Sequence, residues 1–480
     1  MRKTASLGLL ALLAASALGS GQERLRRPPP IEPLVSIRLP ELQSRELANG
    51  LKLWVAVREN FPIMSLVLSL RGGESASPEK TPGLASLAAT LLGQGTVRRR
   101  LPQLEEDIEA VGGELGIRAT PDAIELRFHF LDERLDDALA IVSEIILEPV
   151  WTERAIQIAK TTVTYDLVEK ERDPEFAARR HLVRLLFEGH PYGRSAFTRE
   201  VIRGWTLKDL LEFVGPTLRP NNAHLLLVGN LNINTATRKV SHYLNTWTRH
   251  EYAAPPLPAL RPPARDRIVL VDVPGMRDCV VYAGTTVPTL TPVESSAFTV
   301  LNQILGGSLF SRLIMNLRES KGYARFAYSE FQPFRSGGVF LVRAAVPADV
   351  LVPAVVEILD EVRKLAKDPP SPLEVEQAKG YLLANFPVSI ERFDQYTDRI
   401  GETISLGAGE ERWSRFYEAI VGVDLARIYA LGQKILGQPF IVVVAGAKEI
   451  CLPPLAELGP VEVFEAGGRH LSTTTKRKEP

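Results

Sequence analysis

The stretch Thr81-Pro82-Gly83-Leu84-Ala85-Ser86-Leu87-Ala88-Ala89-Thr90-Leu91-Leu92-Gly93-Gln94-Gly95-Thr96 has the marks of an apolar helix closed at both ends. Thr81 suits the N-cap and Pro82 the first helical position, and the glycines at 93 and 95 stop the run. A helix is therefore expected over Pro82 to Leu92, after a strand-like stretch from Met64 to Leu70. The same order recurs downstream. A shift of 212 positions lays Pro62 on Pro274, Gly72 on Gly284, Ala85 on Ala297 and Gly95 on Gly307 without a gap, and predicts a strand over Met276 to Ala283. Near the end of each half, Leu225-Leu226-Leu227-Val228-Gly229 answers Val442-Val443-Val444-Ala445-Gly446, two buried-strand runs that end in glycine. The chain is an internal duplication.

Within the first half, strands are expected over Leu51 to Arg58, Ser65 to Arg71, Glu114 to Ala119 and Ile124 to Phe130. Helices are expected over Leu101 to Val111, Glu133 to Ile146, Glu153 to Lys170 and Glu175 to Phe187. Hairpins interspersed with long helices, without regular strand–helix alternation, indicate an α+β class in which each half is one α/β sandwich. Between the halves, Pro255, Pro256, Pro258, Pro262 and Pro263 crowd a stretch that can be neither helix nor central strand. The expected organisation is a signal peptide over 1–20, an extended lead-in over 21–34, a first domain over 35–252, a proline-rich linker over 253–265, a second domain over 266–464 and a flexible tail over 465–480.

The 480 residues suffice for two or three domains, and 45% hydrophobic with 24% charged residues is an ordinary globular composition. Lys+Arg and Asp+Glu both total 57, which supplies no electrostatic case for nucleic acid. Arg2 and Lys3, the apolar run from Leu7 to Leu18 and small residues around Ala15, Ala17, Gly19 and Ser20 form a secretory leader. No segment has the apolar length a spanning helix needs, so the mature chain is expected to be exported without a membrane span, and to be periplasmic in a two-membrane bacterium. Cys279 and Cys451 are the only cysteines. Export would permit a bond between them, but two buried thiols are the expectation.

The helix at Ser86 resembles that of the pitrilysin/insulinase zinc peptidases, whose active members carry H-x-x-E-H between a Gly-x-Ala lead and a Gly-Thr close. On a helix those positions share one face, so two histidines hold zinc while the glutamate polarises its water. In this chain they are Ser86, Ala89 and Thr90. Hydroxyls are poor zinc ligands and a methyl group is neither ligand nor base. Asp166 aligns with the family's third, carboxylate ligand, and equally suits an exposed helix acid. The resemblance thus implies a vacated metal site and no cofactor in this chain, zinc belonging to a partner subunit. The seven histidines offer no helical i, i+4 pair, and His190-Pro191-Tyr192-Gly193-Arg194 resembles a structural turn of the family.

The second half keeps more. Leu301-Asn302-Gln303-Ile304-Leu305-Gly306-Gly307-Ser308-Leu309-Phe310-Ser311-Arg312-Leu313, continuing through Asn316-Leu317-Arg318-Glu319-Ser320-Lys321-Gly322-Tyr323, resembles the family's second-domain signature. There an arginine and a tyrosine steady the charge that develops on the scissile carbonyl. Arg318 fits the arginine. The usual tyrosine position holds Arg325, and Tyr323 lies two residues away on a segment of period two. Arg318 could instead pair with a neighbouring acid at a helix end.

Gly113, Glu114, Leu115 and Gly116 resemble the family stretch that receives an extended peptide by strand addition, and equally suit a helix stop followed by a hairpin strand. Short members of the family pair into a chamber, often with zinc in one subunit and the Arg/Tyr segment in the other. The resemblance implies the non-zinc subunit of such a pair, with a zinc-bearing chain or a second copy of itself as partner and extended peptides as ligands. The alternative is a catalytically inactive peptide-binding or assembly protein. No Ser/His/Asp or Cys/His set is recognisable.

Overall fold

The computed structural model describes residues 41–59, 61–251, 256–407 and 415–474. The expected signal peptide and lead-in lie outside these residues. Among the described residues, thirteen strands form two sheets. The first contains β1 (Leu42–Glu46), β2 (Lys52–Val57), β3 (Ile63–Arg71), β4 (Glu114–Ala119), β5 (Ala123–Leu131) and β6 (Ala223–Gly229), in the order β1-β2-β6-β3-β5-β4. The second contains β7 (Arg267–Asp272), β8 (Asp278–Val287), β9 (Phe326–Phe334), β10 (Gly337–Pro347), β11 (Ile441–Gly446), β12 (Val461–Glu465) and β13 (His470–Thr473), in the order β13-β12-β7-β11-β8-β10-β9.

Five strands of each sheet correspond in order and direction. β2 runs parallel to β6 as β7 does to β11, and the pairs β6·β3, β3·β5 and β5·β4 are antiparallel like β11·β8, β8·β10 and β10·β9. The duplication is thus present in the topology. The gap-free shift does not carry through the first hairpin, however. β8 begins at Asp278 rather than Met276 and runs to Val287, because Pro274 and Gly275, with its positive φ, are spent in the turn. The tail expectation is also corrected. Gly468, at φ 102, turns the chain so that β13 pairs with β12, and the Ser/Thr run to Thr473 is strand; of that expected tail, 475–480 lie outside the described residues.

Period-two alternation gives both sheets two apolar faces, which fits strand runs buried along their whole length such as β6 and β11. In the first sheet Leu66, Leu68, Leu225 and Leu227 pack against helices of the same half, among them α1 (Leu84–Leu92), α2 (Leu135–Leu147) and α3 (Glu153–Glu171). The opposite face, Val67, Leu226 and Val228, is covered by Phe393, Tyr396, Ile400 and Ile404, which belong to a helix of the second half.

The second sheet repeats this. Val281, Ala283, Val442 and Val444 pack within their own half, against α5 (Pro292–Leu305) and α6 (Leu351–Lys367). Val280, Tyr282, Val443 and Ala445 are covered by Ala177, Ala178, Leu182 and Leu186 of α4 (Pro174–Leu186), a helix of the first half. The helix from the second half that covers the first sheet is α7 (Phe393–Ser405). Neither half is a self-contained sandwich: each lends a helix to the other's sheet.

Cys279 on β8 and Cys451 are buried free thiols with sulfurs 2.9 Å apart. A buried polar contact also joins the halves. Tyr192 Oη donates to Asp122 Oδ1 (2.8 Å) and accepts from the Ser336 N–H (3.0 Å), while the Arg335 N–H donates to Asp122 Oδ2 (2.9 Å). Removing the hydroxyl leaves both the Ser336 N–H and Asp122 short of a partner. Tyr192→Phe is therefore expected to lower the free energy of unfolding by about 1–3 kcal/mol, measured by urea titration at constant slope; an unchanged midpoint would show that the contact contributes nothing.

Candidate functional site

The vacated helix is built differently from its sequence expectation. α1 starts at Leu84, not at Pro82, and its N-cap is Gly83 at φ 90 with no side-chain cap from Thr81. A side chain at Gly83 would strike Phe197 and Trp205, each 2.6 Å from an added Cβ, and Trp205 Nε1 donates to Pro82 O at 3.0 Å. This packing forces the left-handed entry, which moves the start of the helix. The unpaired N–H groups of the first turn are satisfied from a distance. Ser86 N donates to Glu74 Oε1 at 3.0 Å, and Ala85 N donates to Ser77 Oγ at 3.2 Å.

Glu74 is the residue that sequence reasoning missed. Its carboxylate is buried, and it accepts from both the backbone and the hydroxyl of Ser86 as well as from Ser77 Oγ at 3.3 Å. Burial pushes its carboxyl up from 4.5 to about 7, opposed by these hydrogen bonds. A glutamate beside two glycines gives no sign in the sequence of the helix end it will cap. The loop that carries Glu74 is held in turn by Arg194, which donates to Ser75 O and Ser77 O, both at 2.8 Å. The His190–Arg194 segment is thus a structural turn.

The structure brings Ser86, Ala89, Thr90 and Asp166 to one cleft. All four line a cleft of about 600 Å³ bounded by α1, α3, α4, the end of β4 and, from the second half, Gln332 and Phe334. These residues do not fit zinc. The Ser86 hydroxyl is committed to Glu74, the Thr90 hydroxyl donates to Ser86 O at 2.9 Å, and Ala89 offers no donor atom. Asp166 is exposed and stands alone. Among the described residues, no group of three or more His, Cys, Asp or Glu side chains could hold a metal ion.

β4 is an edge strand of its sheet, and its Ile117–Ala119 end borders the cleft. Its glycines divide by cause. A Cβ on Gly113 would meet Phe128 at 2.7 Å and Ile108 O at 2.9 Å, so that glycine serves the helix stop. A Cβ on Gly116 would meet nothing within 4 Å, which leaves open space along the strand. Glu114 is exposed, and Leu115 is half-buried against the first core.

Arg318 and Tyr323 are not among the cleft-lining residues. Arg318 sits in a π-helical turn (Ile314–Ser320), half-exposed, with Nε 3.5 Å from the carboxylate of Glu319. The Tyr323 N–H donates to Leu317 O at 2.6 Å, and Lys321 lies 6.0 Å from its ring centre. Arg325, at the usual tyrosine position, pairs with Asp278.

An α+β duplication whose peptidase-type helix presents hydroxyl and methyl groups where ligands are needed defines a peptidase-like protein without its metal machinery. Residues 55–199 match the sequence profile described as insulinase (peptidase family M16), and residues 204–382 match that described as the peptidase M16 inactive domain. The chain belongs to peptidase family M16. It is 26% identical over 371 residues to an uncharacterized zinc protease of Mycobacterium leprae, a match that covers 76% of this chain and 82% of the relative. It is 25% identical to the non-peptidase homolog YmxG of Helicobacter pylori, with 72% and 80% covered. A peptidase M16 inactive domain from Pseudomonas fluorescens superposes with a TM-score of 0.77 at 20% identity, covering 85% of this chain and 98% of that one. A protease from Helicobacter pylori gives 0.77 at 19%, with 85% and 100% covered. These structures show the same fold.

Glu74 yields a pH signature. Its folded value lies above its ordinary one, so the proton is held more tightly in the folded state. That contribution is complete below 4.5 and is lost as pH rises through about 7. The neutral Glu74→Gln variant cannot lose it. The midpoint of Glu74→Gln relative to wild type should therefore rise from about pH 5 to about pH 8 in thermal melts; a constant difference would mean that Glu74 does not titrate in this window.

Proposed function

We propose that this chain is the zinc-free subunit of an exported insulinase-family peptidase pair, which grips extended peptides and supports hydrolysis at a partner's zinc site. The observation that carries the proposal is a contrast. The Ile117–Ala119 end of an edge strand borders the cleft, with open space just before it at Gly116, which does not itself line the cleft, yet the helix beside it has no ligand for a metal or base for water. Arg318 is half-exposed and lies outside this cleft, which supports a role toward another chain rather than toward its own emptied helix. A zinc-bearing member of the family would supply a Lewis acid and an activated water. This chain would supply backbone groups of β4 to align the peptide and the Arg318 guanidinium to steady the negative charge on the carbonyl oxygen.

The second reading is an inactive peptide-binding or assembly protein. It is favoured by Arg325 where the family's tyrosine stands, held by Asp278, and by the pairing of Arg318 with Glu319.

Co-expression with a zinc-bearing family member from the same genome separates the two readings. The paired reading expects a stable complex with one zinc per pair, peptide hydrolysis only by the complex, and a turnover lowered at least about tenfold by Arg318→Ala in this chain with assembly unchanged. Turnover that is indifferent to Arg318→Ala would remove that residue from the mechanism. Chelator-sensitive activity of this chain purified alone would overturn the zinc-free assignment.

A further inference from the structure

We infer that the cleft beside the emptied helix selects extended peptides bearing carboxylate side chains, an assignment that rests on the peptide-gripping reading above. The charged residues that line it are Glu74, Arg118, Asp166, Lys170, Arg179 and Arg180. Several are already spent. Glu74 is consumed in capping α1, Arg180 is buried against Glu171 at 2.8 Å, and Arg118 is paired with Glu125 at 3.1 Å. Lys170, at the end of α3, and Arg179, on α4, are exposed and form no ion pair with any described residue. Arg179 Nη2 is steadied by a neutral partner, Gln332 Oε1, at 2.7 Å across the seam between the halves. Against these two cations stands one exposed acid, Asp166, a turn before Lys170 on the same helix and not paired with it.

The arrangement suits a strand-added ligand. A peptide laid on β4 presents every second side chain to the same side, and Lys170 and Arg179, on successive helices, line the same cleft as the end of that strand. Carboxylates at alternate positions would meet unspent cations, whereas lysines there would meet like charge. Because both cations are exposed, the preference should weaken as salt screens them.

The test uses the full chain and three fluorescent peptides of about ten residues, the size of a long strand, identical except for Asp, Ser or Lys at two alternate central positions. Binding is read by anisotropy. The Asp peptide is expected to bind about tenfold more tightly than the Lys peptide at low salt, with the gap closing as salt rises. The double variant Lys170→Ala/Arg179→Ala, checked for folding by circular dichroism, is expected to bring the Asp and Lys peptides within about twofold of each other. Equal or tighter binding of the Lys peptide by the wild type would overturn the charge preference while leaving the peptide grip standing. A preference that survives in the double variant would overturn the assignment to these two residues. Failure of all three peptides to bind would overturn the gripping reading itself.

Discussion

Everything in this molecule depends on covering two sheets that are apolar on both faces. A strand such as β6 or β11, buried along its whole length, cannot leave one side to water without exposing a row of leucine and valine side chains. Each half has helices enough for one face of its own sheet. The second face is covered by a helix from the other half: α4 lies on the sheet of the second half and α7 on that of the first. Gly284 shows how close this approach is, because a Cβ there would come within 2.9 Å of Leu182 on α4. The exchange ties the halves into one unit, and the Tyr192–Asp122–Ser336 contact supplies polar directionality at the same seam.

The exchange also shapes the cleft. Arg179 and Arg180 on α4 line it from a helix whose other side is committed to the second sheet, and Gln332 and Phe334 enter from β9, the duplicated counterpart of β4. The edge strand, the emptied helix and the cationic wall are thus held in fixed relation by hydrophobic burial some distance from the cleft. The emptied helix is itself consolidated. Ser86 and Thr90 turn their hydroxyls into local hydrogen bonds, and the buried carboxylate of Glu74 holds the first turn. The face that the family resemblance marks for ligands is internally satisfied in this chain, which makes it a poor place for a metal.

Much of this was legible in the residues. The buried-strand runs ending in Gly229 and Gly446 carried the duplication, and the spacing of Ser86, Ala89 and Thr90 placed three side chains on one helical face, where the structure has them lining one cleft with Asp166. Periodicity and punctuation are local properties, and local backbone preferences express them directly. What failed was also local in a telling way: the N-cap expected at Thr81 gave way to Gly83 because Trp205 and Phe197, more than a hundred residues later, occupy the space a side chain would need.

By itself, therefore, the sequence determined the class of fold and its doubling, which follow from the type and spacing of residues along the chain, and the want of metal ligands at Ser86, Ala89 and Thr90, which the resemblance of that helix to the family's implies. Only the tertiary structure decided that α4 and α7 are exchanged between the halves, that Glu74 caps the emptied helix, and that Arg318 and Tyr323 lie outside the cleft. The reason is physical: which apolar face a helix covers, and which charge remains without a partner, are settled by contacts between residues far apart in the chain, and neither composition nor periodicity records them.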